Sequence, residues 1–264
     1  MKQILFNPNI AEIDEYLELA QKYNAGFEYT DFILPQVLDN ESQMRNLIGI
    51  YKNLGRDTSK DTLHGVFYDI CVNTCDELIY KACDYRVHQS MECAKKLGVR
   101  GVVFHTNFIA NFKTPYYFEV WLSGNYKYWT KICKEYRNID IYLENMFDMD
   151  DYLLTKLCEM MSDVPNFHAC FDVAHAHLAP ENIEGWMGSL RNYISHIHIN
   201  DNYGNFDSHN EMGDGTIDWR LFSDIAFMFK EPPSVVVEMT GIEKLKRSLE
   251  FMELHDIYPL DRRR

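Results

Sequence analysis

Apolar, β-rich runs recur eight times along the chain: Gln3–Phe6, Gly26–Thr30, Thr62–Val66, Gly101–His105, Ile139–Glu144, Phe167–Asp172, His196–Asn200 and Ser234–Met239. Each is mostly hydrophobic, as expected of a strand covered on both faces. Between them the apolar period lengthens to that of a helix. Ala11–Tyr23 carries Ile13, Tyr16, Leu17 and Ala20 on one face, the i, i+3, i+4, i+7 spacing. Glu41–Leu54, Asp76–Leu97, Tyr116–Tyr136, Asp150–Met161, Ile183–Tyr193, Asp218–Phe229 and Glu243–Leu254 fill the other gaps, and Gly98 is placed to cap Asp76–Leu97. Eight alternations of strand and helix predict an α/β protein, a single (β/α)8 TIM barrel spanning residues 1–264, with a doubly wound open sheet as the alternative. No Pro-, Gly- or Ser-rich linker divides the chain.

Composition narrows the function classes. The formal net charge is −14, and the only basic cluster is Arg262-Arg263-Arg264, read as a solvated terminus. Nucleic-acid binding draws on clustered Lys and Arg, so it is disfavoured, whereas cation binding suits this charge. Seven cysteines, an odd number with no CxxC pair, read as reduced thiols. Met1–Asn7 lacks the apolar stretch of a signal peptide, and no run of about 18 apolar residues offers a membrane span. The expectation is a cytoplasmic protein, with a homo-oligomer left open.

The candidate chemistry lies where each strand ends. In a parallel barrel the strand C-termini carry the catalytic groups. Six consecutive strands finish on a metal-ligating residue: His64, His105, Glu144, Asp172, His198 and Glu238. Burying so many carboxylates among apolar residues is unfavourable without a counter-charge, and a divalent cation satisfies them most simply. Side-chain alternation puts His196, His198 and Asn200 on one face, with His196 a layer deeper as a supporting or core histidine. His168 reads as interior and structural, and His88, His177 and His255 are given no role. After strand seven, Asp207-Ser208-His209 can place two side chains on one ion, although the trio by itself reads rather as a polar surface loop. Gly213-Asp214-Gly215 reads as a turn and Thr216 as the cap of the next helix.

As an ordered set, Leu63-His64-Gly65, Phe104-His105-Thr106, Leu143-Glu144-Asn145, Phe171-Asp172-Val173-Ala174-His175, His198-Ile199-Asn200-Asp201, Asp207-Ser208-His209 and Val237-Glu238 resembles the xylose isomerase-like TIM-barrel superfamily. That group holds sugar isomerases and epimerases, inosose-processing enzymes and endonuclease IV. The resemblance implies a core metal set of Glu144, Asp172, His198 and Glu238 around zinc or manganese. Glu144 and Glu238 are then the catalytic carboxylates, moving a proton beside a metal-polarised carbonyl. His64, His105, His175, Asp207 and His209 complete the nine positions of the endonuclease IV set, so they are further ligand candidates and more than one ion is open. His175, His64, His105 and Asn107 are assigned to substrate contact. Tyr68, Phe108, Phe112, Tyr116 and Tyr117 form an aromatic rim suited either to a sugar face or to helix packing.

The favoured expectation is a metal-dependent sugar or cyclitol isomerase/epimerase. The alternatives are an endonuclease IV-like zinc hydrolase of phosphodiesters, a lyase on an oxidised sugar, and a metal-stabilised binding protein without catalysis. The loop Thr30–Gln36 lacks basic DNA-reading character, which together with the charge disfavours the hydrolase.

Overall fold

In a computed structural model that describes residues 3–260, the eight strands form a closed parallel barrel in chain order. The strands are β1 Gln3–Phe6, β2 Gly26–Tyr29, β3 Thr62–His64, β4 Gly101–His105, β5 Asp140–Glu144, β6 Phe167–Asp172, β7 Ile194–Ile199 and β8 Ser234–Val237. The helices are α1 Ile13–Tyr23, α2 Pro35–Leu38, α3 Glu41–Asn53, α4 Glu77–Leu97, α5 Pro115–Glu135, α6 Tyr152–Met160, α7 Val173–Leu178, α8 Ile183–Leu190, α9 Trp219–Ala226 and α10 Ile242–Leu254. The barrel expectation holds and the open sheet is excluded. The basic run Arg262-Arg263-Arg264 lies outside the described residues. Among the described residues, no helix is long and apolar enough to cross a membrane.

The chain forms two compact units. One holds Glu28–Glu144 and Tyr152–His168, hence β3, β4 and β5 with α4 and α5. Local chemistry sets the limits of its helices. The Asp76 side chain accepts from the Leu78 and Ile79 amides, and Gly98 closes α4 at φ 75°. Thr114 caps α5 ahead of Pro115 at the first turn. The core here is aromatic: Phe104 lies 5.1 Å from Trp129, which donates its indole N–H to buried Asn125. In the same unit, fully buried Asp61 accepts from the Tyr29 hydroxyl (2.8 Å) and from Arg56 (2.8 Å). Removing one partner of a buried ion pair strands the other charge. Arg56→Met is therefore expected to lower unfolding free energy by about 3–5 kcal/mol in urea titrations. A loss below about 1 kcal/mol, the value of an exposed pair, contradicts this account of Asp61.

The other unit holds the chain through Phe27, Asn145–Asp151, and the chain from Ala169 onward. It contains β1, β7, β8, most of β6, and helices α1 and α7–α10. Its core includes Trp186, Phe222 and Tyr258, all fully buried. Two local expectations, for Thr216 and His168, are corrected, and two short helices join the expected elements. Thr216 does not cap α9: Asp218 does, accepting from the Leu221 amide, while Thr216 bonds His177 at 2.9 Å. An Asp directly before the helix outcompetes a Thr two residues earlier, because only its side chain reaches the first free amides. Helix α7 begins immediately after β6, because Asp172 accepts the His175 amide and so starts a helix where sequence periodicity is too short to register. Helix α2 was likewise too short to read. His168, in the first unit, is half-buried beside Asp140 rather than interior, because it sits at the start of β6.

Candidate functional site

Within the first unit, His64, His105 and Glu144 converge. All three are buried, at the C-terminal ends of β3, β4 and β5. The His64 Nδ1 lies 3.1 Å from the Gly65 carbonyl, so Nδ1–H donates there and Nε2 becomes the lone-pair nitrogen. That Nε2 is 3.8 Å from Glu144 Oε2, and His105 Nε2 is 3.5 Å from the same oxygen. Ligands held about 2.0–2.2 Å from a tetrahedral zinc lie roughly 3.4 Å apart, so these separations are those of a ligand set. Gly65 is required beside it: a Cβ would approach the Phe104 ring to 2.5 Å. Phe67 packs on both imidazoles, 5.8 Å from His64 and 4.7 Å from His105, and touches exposed Tyr68. The aromatic rim divides. Phe108 and Tyr117 stack on each other at 5.4 Å, the packing alternative, whereas Tyr68, Phe112 and Tyr116 are exposed. Asn107 sits at φ 46° and donates to the His105 carbonyl, so its backbone occupies the left-handed region beside a candidate ligand.

The second unit gathers the remaining candidates. Asp172, His198 and Glu238 bring their ligand atoms within 4.8 Å of one another. Asp172 and His198 are fully buried, while Glu238 keeps 18% side-chain exposure and so remains reachable. His198 Nδ1 and His209 Nδ1 each lie 3.8 Å from Glu238 Oε2. His209 Nε2 is 3.0 Å from Asp207 Oδ2, and His175 Nε2 is 3.4 Å from the same atom. Residues 172, 175, 198, 207, 209 and 238 thus form one network, against the surface-loop alternative for Asp207 and His209. His209 holds a left-handed backbone at φ 45°, a cost that recurs at functional sites.

Electrostatics show what the network lacks. Burial opposes charge on His209, but Asp207's hydrogen bond and the carboxylates of Glu238, Asp207 and Asp172 overcome it and raise the imidazole to about 9. Burial also opposes charge on Asp207, yet hydrogen bonds and charge from His175 and His209 hold its carboxyl well below the usual range. Asp207 Oδ1 is buried with no hydrogen-bond partner among the described residues. A carboxylate cluster that draws a proton onto a histidine and leaves a buried oxygen unbonded fits a divalent cation. Asp172, His198 and Glu238 are the residues that would hold it, with His175, Asp207 and His209 beside them.

Two supporting residues were missed in the sequence. Asn145 exchanges hydrogen bonds with the Asp172 backbone, donating from Nδ2 to the carbonyl (2.9 Å) and accepting at Oδ1 from the amide (2.8 Å). Its own carbonyl receives His175 Nδ1–H at 2.9 Å, which turns His175 Nε2 toward Asp207. Asp201, 1% exposed, accepts four bonds: from the Asn202 and Ile217 amides at Oδ1, and from the Gly213 amide and the Trp219 indole at Oδ2. It pins both ends of the loop that carries Asp207 and His209. The signal for each was adjacency, Glu144-Asn145 and Asn200-Asp201, in motifs read only for their first ligand. Gly215 belongs to the same arrangement, since a Cβ there would meet Asp201 Oδ1 at 2.1 Å.

All seven cysteines are free thiols, and Cys83, Cys93, Cys133, Cys158 and Cys170 are buried.

Comparison with known proteins follows the same lines. The chain is 29% identical over 166 residues to an uncharacterised protein of Methanocaldococcus jannaschii, a match covering 62% of this chain and 64% of that relative's length. Among solved structures it superposes on a D-tagatose 3-epimerase-like protein with a TM-score of 0.74 at 21% identity, covering 97% of each chain. It superposes on a Thermus thermophilus protein from a crystal soaked in zinc chloride with a TM-score of 0.72 at 19% identity, covering 96% of each. At these identities the likeness establishes the fold. The sequence itself matches the xylose isomerase-like TIM barrel family over residues 18–255, and with the closed eight-stranded barrel in place the chain belongs to that family.

Proposed function

We propose that the protein is an isomerase or epimerase of a sugar or cyclitol, dependent on a divalent metal, zinc or manganese. One observation carries this reading: two fully buried ligands, Asp172 and His198, stand within ligand distance of a carboxylate, Glu238, that substrate can still reach. The buried pair is suited to hold an ion and the reachable carboxylate to touch a substrate. A divalent ion bound there supplies the positive charge that polarises a substrate oxygen. Glu238 then removes the proton from the carbon beside the carbonyl. Glu144, at the end of β5, takes the second proton-transfer role by its motif position. His175, with its tautomer set by Asn145, offers Nε2 to a substrate oxygen.

The test is exchange with solvent. Protein loaded with Mn, Co or Zn is incubated in D2O with D-tagatose, other ketoses and inososes. Deuterium is expected at the carbon beside the carbonyl, read by NMR. No exchange with any metal and any of these compounds refutes the reading.

The buried His64–His105–Glu144 set favours a second reading, a multinuclear zinc hydrolase of phosphodiesters. Metal analysis distinguishes the two. Fewer than two tightly bound ions per chain, or no cleavage of abasic DNA, removes the hydrolase.

A further inference from the structure

The loop after β3 and the second turn of α4 carry three of the seven thiols: Cys75 is exposed, Cys71 half-buried and Cys83 buried. One backbone oxygen organises the inner pair. The Asp69 carbonyl accepts the Cys71 amide at 3.1 Å and the Cys83 thiol at 3.3 Å. The Cys71 amide also hydrogen-bonds to the Cys83 sulfur. Cys83 Sγ therefore stands beside the Cys71 backbone, and a rotation about the Cys71 Cα–Cβ bond turns the second sulfur toward it. Little opposes that rotation, since the Cys71 thiol is held only by a weak bond to Asn73 Oδ1 at 3.6 Å. Asp69 itself keeps a left-handed backbone at φ 59°, uncommon for a residue with a side chain.

From this juxtaposition we infer that Cys71 and Cys83 are a redox modification site, a dithiol that a peroxide converts into a disulfide joining the β3–α4 loop to α4. Half-buried Cys71 meets the oxidant. Its thiolate attacks one peroxide oxygen, the O–O bond breaks, and a sulfenic acid forms while the departing hydroxide takes up the proton Cys71 released. The Cys83 sulfur then attacks the Cys71 sulfur. The S–S bond forms, the S–O bond breaks, and the hydroxyl leaves as water with the Cys83 proton. Two thiols give up two electrons, and hydrogen peroxide becomes two waters. Cys83 needs no access to solvent, because its only reaction partner is Cys71. Burial pushes both thiols up, so the attacking thiolate is scarce near neutrality. Backbone amides, of Asn73 at Cys71 and of Cys71 at Cys83, draw each part of the way back. The bond ties down the outer end of a loop whose inner end carries Phe67, packed on His64 and His105. The inference does not depend on the isomerase reading.

The test treats the fully reduced protein with hydrogen peroxide at about pH 8.5, where an ordinary thiol is half ionised. The remaining thiols are alkylated, and tryptic peptides are mapped by mass spectrometry. Cleavage at Lys81 separates Cys83 from Cys71, but Cys75 stays on the Cys71 peptide, so the linkage is assigned in Cys75→Ser as well as in the wild type. The expected product in both is the Cys71 peptide joined to the Cys83 peptide, lighter by two hydrogen atoms than the reduced pair and parted by a reducing thiol. Cys71→Ser is expected to lower the yield of disulfide by about ten-fold or more. In Cys83→Ala the Cys71 sulfenic acid has no partner thiol, and dimedone is expected to trap it there. Linkage through Cys75 in place of Cys83, loss of the product in Cys75→Ser, or oxidation that leaves Cys83 alkylated in the wild type overturns the inference. Should Cys83→Ala fail to fold, Cys71→Ser, at the half-buried position, carries the comparison, and an undiminished disulfide yield in it overturns the inference as well.

Discussion

Glu238→Gln is expected to abolish solvent proton exchange, lowering its rate by about 10³-fold, while leaving the barrel folded. Gln is nearly isosteric, and its carbonyl oxygen can still accept the Asn200 amide, which lies 3.4 Å from Oε2 in the native side chain. What Gln cannot do is take a proton. It also removes one negative charge from the network around His198 and His209, each 3.8 Å from Oε2, so metal affinity is expected to fall as well. Exchange must accordingly be measured at saturating metal, with circular dichroism as the folding control. A rate unchanged at saturation removes Glu238 from the chemistry and leaves it, at most, a ligand. A rate restored merely by adding metal leads to the same conclusion, because a lost base cannot be supplied by mass action.

Asp201→Asn is expected to be costly in a different way. Each oxygen of the native carboxylate accepts two N–H groups, and none of the four donors has a reason to tolerate an amide NH2 in its place. Whichever way Asn turns, two donors face a third donor. Losing two buried bonds amounts to about 2–4 kcal/mol of unfolding free energy. The functional consequence goes further than stability. The loop from Asn202 to Ile217 carries Asp207 and His209 toward Glu238, and with Asp201 disabled only its other tethers remain. These include Asn202 Nδ2 to the Ala174 carbonyl and His177 to Thr216, both at 2.9 Å. Zinc titration of the variant is expected to show weakened binding even at temperatures where the protein is folded. Native zinc affinity in a folded Asp201→Asn protein contradicts the anchoring role.

The legibility of this protein varied with the range over which each feature is determined. Helix α4 was readable nearly to the residue, because an Asp at one end and a Gly at the other act on amides and carbonyls within a single turn. The ligand candidates were readable because strand direction alone sends His64, His105, Glu144, Asp172, His198 and Glu238 to the same end of a parallel barrel. Helix α7 was not readable, since its start depends on Asp172 doubling as a cap, and a six-residue segment shows no period. The short β3 and β8 were over-extended in sequence for a related reason. The apolar runs extend to Val66 and Met239, but pairing with the neighbouring strands ends on single bonds from the Gly65 and Glu238 amides to the Val103 and Ile199 carbonyls.

By itself, then, the sequence determined the alternation of eight strands and their helices, the chemistry available at the strand ends, and the caps that start and stop the longer helices. These follow from periodicity and from contacts spanning a turn or two of chain. Only the tertiary structure decided which candidates meet and who supports them. Asn145 holds Asp172 from 27 residues away, Asn200 reaches Glu238 across 38, and Asp201 anchors Trp219 across 18. No local pattern encodes such pairs, because they exist only once parallel strands are in register and a long loop has folded back on the strand it left.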